Sequence, residues 1–391
     1  MEIQDISFHR VSVPRIYNTK VAPMGGYEGG KAGSDYVLIE AMAGGAVGLG
    51  EISDIESDWG DLDWDSISGA ISEAMVGEDP RDRVRLVDRV IDVLPGDLHR
   101  ELRMAVRAAV ECVLMDVVAR YYGVPLVEML GGLKRPSVRI SWVAFIGNED
   151  GIEQEIREKA EAGFSAFKLK VGADHTSDLE RISLTREIIG RDSHLRVDAS
   201  GEWTSEEAIE KLVEMRSRGV DAVETPIQAV ARTVVKNSPE QVNENADEIA
   251  AELAKVRKAV DVRVIEHVSD FDDAFSLALA NHRSVDVFNV LPGQAGGLSR
   301  AQKLIHLAEL SGIDVLLGST VELSPGTAAA LSLGLASSGV TEACDLVGPG
   351  LLVSDVCEDP LTYSDGHLVA QTSSGLGVDL SPDKLTELKS N

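Results

Sequence analysis

Apolar and polar residues alternate with a period of two along the first part of the chain, as β-strands require. The stretches IQDISFHRVSVP and SDYVLIEAMAGGAVGLGEIS, within residues 1–53, show this alternation, and the glycines in the second stretch indicate a turn. Residues 63–130 instead repeat apolar side chains every three or four positions, most clearly in ELRMAVRAAVECVLMDVVARYYG. The first third of the chain therefore predicts an α+β unit.

The pattern changes after residue 132, where short apolar stretches typical of buried parallel strands alternate with amphipathic helices. A (β/α)8 barrel allots roughly 30 residues to each βα unit. The spacing of the apolar stretches fits such a barrel. We predict strands near residues 137–145, 166–171, 194–198, 220–225, 261–266, 284–290 and 313–318, with a short eighth strand near 344–347.

The second of these strands, in FSAFKLKVG, carries Lys168 and Lys170. Side chains on a strand alternate between faces, so both ammonium groups point to the same side. On the inner face of a barrel this is an unfavourable arrangement, because lysine is rarely buried without a partner. Desolvation and a neighbouring cation lower the pKa of a lysine towards the range in which it acts as a base. The alternative is an edge strand with two solvated lysines.

Three carboxylates follow at the ends of the next three predicted strands. Asp198, Glu224 and Glu266 lie at successive separations of 28, 26 and 42 residues, counted from Lys170. Barrel enzymes carry their chemistry at the carboxyl ends of the strands. Hard oxygen ligands without Cys or His suit Mg²⁺. Each acid alone could be a helix N-cap, but three in phase with a lysine pair favour a metal site.

Composition excludes some partners. The chain has 391 residues and a formal net charge of −28, so nucleic acid and anionic membranes are unfavourable partners. Cys112, Cys344 and Cys357 lie in apolar or strand-like contexts and are typical of reduced packing residues. The sequence shows neither an apolar run of 18 residues nor a signal-like start, so we expect a cytoplasmic protein.

At this point the chain resembles the enolase superfamily, in particular its mandelate racemase and muconate lactonizing enzyme branches. The resemblance rests on the motifs FKLK, VDASGEW, VETP, IEHVSD, DVFNVLPGQAGGL, GSTVELSPGTAA and EMLGGLKRPSV, which occur in the family's order. It implies an α/β fold, a modified TIM barrel of the (β/α)7β type with an α+β capping domain. The cap would comprise residues 1–132 and the returning tail 348–391, and the barrel residues 133–347.

The resemblance also implies a mechanism. Mg²⁺ held by Asp198, Glu224 and Glu266 would bind the carboxylate of a small-molecule substrate and stabilise the ene-diolate formed when Lys170 removes the α-proton. This superfamily is itself a well-known example of such chemistry, in which a Lys or His base works beside Mg²⁺. Lys168 would lower the pKa of Lys170 and contact the carboxylate. We further expect a homo-oligomer.

Five further positions are candidates through the resemblance, and a sixth, His267, through its place directly after Glu266. Tyr27 and Lys31, in a polar glycine-rich segment, match a loop that closes over the substrate. Asn289 and Leu291 share the inner face of the sixth strand, and Leu291 stands where the muconate lactonizing branch usually has a lysine. Glu322 matches a glutamate that helps to hold the catalytic lysines, or else begins a helix. His267 should face away from the barrel axis, unless the strand bulges and brings it into proton transfer.

Loss of the sixth-strand lysine leaves one basic face, which favours loss of a β-leaving group with the protonated lysine as the acid. We therefore predict a syn-dehydratase of a hydroxy acid, sugar acid or hydroxy amino acid. The first alternative is a racemase, epimerase or cycloisomerase that uses His267 or a loop group as the second acid. The second is a non-catalytic protein that binds a carboxylate. An extension within residues 230–247 could reshape the pocket or contact another subunit.

Overall fold

The computed structural model describes residues 1–23, 30–55, 59, 62–227 and 239–390, with residues 239–244 described by their backbone alone. Tyr27 and residues 230–238 of the predicted extension at 230–247 lie outside the described residues.

The N-terminal region forms the predicted α+β unit. Strands β1 (Ile3–Thr19), β2 (Lys31–Ala43) and β3 (Ala46–Ile52) pair antiparallel in chain order. One face of this sheet packs closely on the long helix Arg100–Tyr122. At Gly50 the two elements are so close that an added Cβ atom would lie 2.3 Å from the carbonyl oxygen of Ala109 in that helix. The helices of this unit are Trp64–Met75, Arg83–Val93, Arg100–Tyr122 and Leu126–Met129.

Seven parallel strands in chain order form the main sheet. They are β5 (Ser141–Ala144), β6 (Ala166–Lys170), β7 (His194–Asp198), β8 (Ala222–Glu224), β9 (Arg263–His267), β10 (Val287–Val290) and β11 (Asp314–Leu317). The helices between and after them are Ile152–Glu161, His175–Ile189, Ser205–Ser217, Pro239–Ala259, Asp273–His282, Leu298–Ser311 and Ser324–Ala336. Sequential parallel pairing with helical connections is the arrangement of a barrel.

The barrel is closed by residues 340–345 rather than by a regular eighth strand. Val340 bridges to Val315 of β11, and Cys344 bridges to Ile140, next to β5. The amide of Asp345 donates to the carbonyl oxygen of Leu317 over 2.8 Å. The segment predicted as an eighth strand near 344–347 therefore contributes isolated bridges and is followed by the helix Gly348–Leu351. The fold is the predicted modified TIM barrel with a capping domain.

The predicted first barrel strand, 137–145, is split in two. Its first part, β4 (Ser137–Arg139), pairs antiparallel with β12 (His367–Val369) of the C-terminal tail, and only β5 belongs to the barrel sheet. The tail also contacts the cap, since the amide of Ser12 donates to Leu388 over 3.0 Å. Its last helix is Pro382–Glu387. The domain boundaries at 132 and 347 stay predictions.

The barrel centre holds a small apolar layer of Ala222, Ile265, Val287 and Leu316, all at most 2% exposed. Residues two positions further along these strands lie above this layer, at the carboxyl ends of the strands, where they can line a cavity. None of the helices within the described ranges is long and apolar enough to cross a membrane.

Candidate active site

A cavity of about 290 Å³ opens at the carboxyl ends of the barrel strands, beneath the capping domain. The polar residues that line it come from both domains. They are Arg15, Asp54 and Glu101 of the cap and Lys168, Lys170, Asp198, Ser200, Glu224, Thr225, His267, Asp270, Asn289, Gln294, Ser319, Thr320 and Asp345 of the barrel.

Lys168 and Lys170 both point into this cavity. The Nζ atom of Lys168 lies 3.0 Å from Oδ2 of Asp198 and 3.0 Å from Oε2 of Glu224. The Nζ atom of Lys170 lies 2.6 Å from the same Asp198 oxygen. Because β6 lies between β5 and β7, the alternative of an edge strand with solvated lysines does not apply.

Lys168 is a fixed cation rather than a lysine with a lowered pKa. Burial alone lowers its pKa, but the carboxylates of Asp345, Glu224 and Asp198 more than offset this and raise it well above the usual value. Burial raises the pKa of Asp198, yet the ammonium groups of Lys170 and Lys168 hold it below its usual range. The expectation of a lowered pKa was wrong for Lys168, because neighbouring acids outweigh the neighbouring cation.

Two members of this cluster were missed by the sequence reasoning. Asp345, in the segment that closes the barrel, lies 2.9 Å from Nζ of Lys168. Its other oxygen accepts a hydrogen bond from the guanidinium of Arg196, which is 1% exposed. From the sequence, only Arg196 could have been expected at this site, because it lies two residues before Asp198 and therefore on the same face of the strand. With Lys170 and Glu224, the cluster has three cations and three carboxylates, so its charges balance.

Glu266 does not join Asp198 and Glu224. Asp198 and Glu224 are register partners on the neighbouring strands β7 and β8. On the next strand, β9, the register partner of Glu224 is Ile265, so the Ile265 side chain shares the inner face with Glu224. Glu266 is the following residue, and its side chain therefore points to the opposite face. The Glu266 carboxylate accepts from the hydroxyl of Thr225 over 3.0 Å and does not line the cavity. The prediction that the three acids meet is therefore corrected, because the register of β9 differs from the assumed one.

The donor set suits a hard divalent cation only in part. Asp198 and Glu224 offer adjacent carboxylate oxygens and already share one cation, the ammonium of Lys168. Across the described ranges no three His, Cys, Asp or Glu side chains are arranged to hold a metal ion. Glu266 lies at the same end of the barrel, hydrogen-bonded to the residue that follows Glu224. Two of the three expected ligands thus fit Mg²⁺.

His267 lies inside the cavity, contrary to the expectation that it faces away from the barrel axis. Its register partner on β10 is Asn289, another inward residue. Its Nε2 atom lies 3.1 Å from Oδ1 of Asp270. Since β9 is three strands from β6, this His–Asp pair approaches the cavity from across the barrel relative to Lys170. The cause is again the phase of β9, which turns Glu266 outward and His267 inward.

The sixth-strand candidates both line the cavity. Asn289 is 2% exposed and its Nδ2 atom donates to Oε1 of Glu224 over 2.8 Å. Its Oδ1 atom is buried and has no hydrogen-bond partner in the described part of the chain. Leu291 is 5% exposed and presents an aliphatic side chain to the cavity.

Two other candidates lie at a distance from the lysines. Lys31 forms an ion pair with Asp54, Nζ to Oδ2 2.8 Å, at the cap side of the cavity. Glu322 accepts hydrogen bonds from the amide and hydroxyl of Thr320, over 2.9 and 3.0 Å. It therefore shapes the loop that lines the cavity after β11, and it contacts neither lysine in the described structure. The expected role in holding the lysines belongs to Asp345 instead.

Comparison with protein families agrees with this geometry. A family model described as "Enolase C-terminal domain-like" matches residues 151–384. A second, the N-terminal domain of mandelate racemase and muconate lactonizing enzyme, matches residues 16–131. The chain belongs to the mandelate racemase/muconate lactonizing enzyme family of the enolase superfamily. It is therefore an enzyme of the lyase or isomerase type, and enzymes of this superfamily generally use Mg²⁺.

Individual relatives are similar over nearly the whole chain. A chloromuconate cycloisomerase of Cupriavidus necator is 28% identical over 360 residues, 90% of each chain. An L-Ala-D/L-Glu epimerase of Bacillus subtilis is 28% identical over 386 residues, 97% of each chain. The crystal structure of 2-chloromuconate cycloisomerase from Rhodococcus opacus superposes with a TM-score of 0.84 over 100% of each chain, at 26% identity.

Proposed function

We propose that this family member is a racemase or epimerase that removes and returns the proton α to a substrate carboxylate. The observation that carries the proposal is the position of His267, which lines the same cavity as Lys170 from three strands away. A proton can then leave one face of the α-carbon and return to the other. Such two-sided proton transfer is what inversion of a carbon centre requires.

Lys170 is the proposed base on the first face. Its ammonium contacts Asp198, while the more deeply buried Lys168 is bound to three carboxylates. Lys168 therefore stays charged and provides a fixed positive site beside the substrate carboxylate, whereas Lys170 is the lysine available to move a proton. His267 is the proposed acid or base on the second face, oriented by Asp270.

Asp198 and Glu224 are the residues proposed to hold the metal. When bound, Mg²⁺ supplies Lewis-acid stabilisation of the negative charge that develops on the substrate carboxylate. The protein's own side chains and backbone orient the proposed ligands. Asn289 fixes the Glu224 carboxylate by a hydrogen bond, and the amide of Ser200 donates to Asp198 over 2.9 Å. Both contacts orient the proposed ligands before substrate arrives.

The comparisons support an isomerase over the dehydratase predicted from the sequence. The relatives of similar length are named as an epimerase and as cycloisomerases, and both names denote isomerases. A syn-dehydratase is the second candidate. It is favoured by Leu291, which places no base on the sixth strand and would leave Lys170 to act alone.

Deuterium exchange separates these candidates. Single enantiomers of dipeptides, N-acyl amino acids and hydroxy acids are incubated with the Mg²⁺-loaded protein in D2O, and α-deuteration, racemisation and loss of water are followed by NMR and chiral chromatography. We expect racemisation with α-deuteration. His267→Gln should reduce the rate of racemisation about 100-fold or more, which is the effect expected when a general acid or base is lost. Exchange of the α-proton for deuterium on the face of the α-carbon next to Lys170 should continue.

His306→Gln, a change at an exposed histidine of the helix Leu298–Ser311, is the matched control and should leave both rates unchanged. Lys170→Ala should abolish exchange from its own face. Elimination of water without racemisation would contradict the proposal and favour the dehydratase. Unchanged racemisation in His267→Gln would exclude His267 as the second group.

A further inference from the structure

We propose that Val321 limits the size of the apolar group that the cavity accepts, and that Tyr36 of the cap positions Val321 for this role. The substrate class is then carboxylates whose remaining substituent is compact and aliphatic. This inference rests on the proposed function, because it takes the cavity as the substrate site and assigns the part of the substrate that faces away from Asp198.

Val321 has a backbone conformation that its own side chain disfavours. Its φ angle is 64°, which lies in the left-handed region. A β-branched residue in this region is a steric outlier, because its Cβ atom crowds the backbone. Such strain persists only where the surrounding structure holds it, and it is concentrated at functional sites. Contacts that hold Val321 in this conformation are therefore expected around it.

The cap supplies one of these contacts. The hydroxyl of Tyr36, on β2, donates to the carbonyl oxygen of Val321 over 2.7 Å. Burial raises the pKa of Tyr36 well above its usual value, so the hydroxyl keeps the proton that it donates. Tyr36 is 1% exposed and does not itself line the cavity. Its influence on a substrate therefore passes through Val321.

The backbone that follows Val321 is also held in place. The amide of Leu323 donates to Oε1 of Glu51, a second cap residue, over 2.9 Å. The backbone of Glu322 packs against Gly348, where an added Cβ atom would lie 1.9 Å from the Glu322 carbonyl oxygen. The strained segment is thus fixed between the cap on one side and the segment that follows barrel closure on the other.

This conformation places Val321 at the wall of the cavity, where it is 5% exposed. The cavity is also lined by Leu291, after β10, and by Val347, after the closing segment. Because β11 lies four strands from β7, these aliphatic residues are on the opposite side of the barrel from Asp198. Aliphatic surface is stabilised against such a wall, whereas an ion would lose its water there at a cost in free energy. A substrate whose carboxylate lies near Asp198 would therefore direct an apolar substituent towards Val321.

Binding of two probes tests the size limit. Calorimetry with the Mg²⁺-loaded protein compares L-2-hydroxyisovalerate, which has an isopropyl side chain, with L-3-phenyllactate, which has a benzyl side chain. We expect the wild type to bind the smaller probe about tenfold to a hundredfold more tightly, the range for small differences in bulk in an apolar pocket. Val321→Gly should remove most of this preference, because it makes room for the benzyl group. Glycine adopts the left-handed conformation without strain, so this variant should fold.

A double-mutant cycle tests the role of Tyr36. Tyr36→Phe removes only the hydroxyl and should reduce the preference for the smaller probe about threefold or more, on the scale of one hydrogen bond. In the Val321→Gly background the same change should leave the ratio of the two affinities unaltered, because no side chain remains to be positioned. The matched control is Tyr122→Phe, at an exposed cap residue, which should not alter the ratio in either background.

Equal or tighter binding of phenyllactate by the wild type, or no binding of either probe, would overturn the size limit. The positioning role of Tyr36 would be overturned if Tyr36→Phe left the ratio of affinities unchanged in the wild-type background or altered it equally in both backgrounds. Racemisation and α-deuteration of the same probes are followed separately. Their absence counts against the proposed function, whereas the ratio of affinities decides the roles of Val321 and Tyr36.

Discussion

Asp345 and Lys168 form an ion pair, Oδ2 to Nζ 2.9 Å, that joins the second barrel strand to the segment that closes the barrel. The other Asp345 oxygen accepts a hydrogen bond from Arg196 on the third strand. The Asp345 carboxylate therefore contacts two buried cations, Lys168 and Arg196. Closure of the barrel places Asp345 beside Lys168, and this carboxylate helps to keep Lys168 charged.

Asp345→Asn should destabilise the protein. The change leaves the cations of Lys168 and Arg196 without one of their carboxylates, and breaking a buried ion pair costs about 3–5 kcal/mol. Denaturant unfolding measures the free energy directly. Asp97→Asn, at an exposed position, should change it by less than about 0.5 kcal/mol. A variant with wild-type stability would show that this ion pair is not needed for the closed barrel.

Mg²⁺ should stabilise the folded state. A ligand that binds only the native protein adds about 2.7 kcal/mol at a free concentration 100 times its Kd. We expect the melting temperature to rise with Mg²⁺ and to fall when a chelator is added. Asp198→Asn should abolish the rise, whereas Asp150→Asn, an exposed change, should retain it. If Mg²⁺ does not change the melting temperature of the wild type, the assignment of Asp198 and Glu224 as ligands is contradicted.

Leu291→Lys should place a second ammonium group on the sixth strand, facing the cavity. The new lysine would be partly desolvated, which lowers its pKa and makes it a better base. In the His267→Gln background, we expect it to restore a measurable part of the lost racemisation, followed by chiral chromatography. Leu291→Met fills similar space without a base and should restore none. Equal rates in the two double variants would mean that residue 291 does not reach the α-carbon.

Glu51 should make stability depend on pH. Its carboxylate is buried at the start of the helix Ser324–Ala336, where it accepts from the amides of Leu323 and Gly326 over 2.9 and 2.7 Å. Burial raises its pKa from 4.5 to about 8, and the charge of Glu322 adds to this. The folded protein therefore keeps a proton that the unfolded chain releases near pH 4.5.

The stabilisation from this proton is fully present below pH 4.5 and is lost as the pH rises through about 8. Relative to Glu51→Gln, the free energy of unfolding of the wild type should fall across this window, by at most about 1.4 kcal/mol per pH unit. Denaturant unfolding at several pH values measures this difference. A difference that is constant with pH would show that the Glu51 carboxyl has an ordinary pKa in the folded state.

Local periodicity was sufficient to predict the architecture and the lysine pair. The alternation of FKLK places Lys168 and Lys170 on one face whatever the strand packs against, because successive Cβ atoms on a strand always point to opposite sides. The alternation of strands and helices likewise predicts parallel pairing in chain order, as the sheet from β5 to β11 shows. These properties depend on neighbours in sequence, so the sequence alone determines them.

The partners of those residues depend on the tertiary structure. Asp345 lies 177 residues from Lys168 and, together with Glu224 and Asp198, reverses the direction of the expected shift in the pKa of Lys168. The sign of an electrostatic effect depends on which charges are near in space. A difference of one residue in the phase of β9 turns Glu266 away from the cavity and His267 into it. The pairing of β9 with its neighbours decides this phase, because a shift of one residue in register moves every side chain of a strand to the other face.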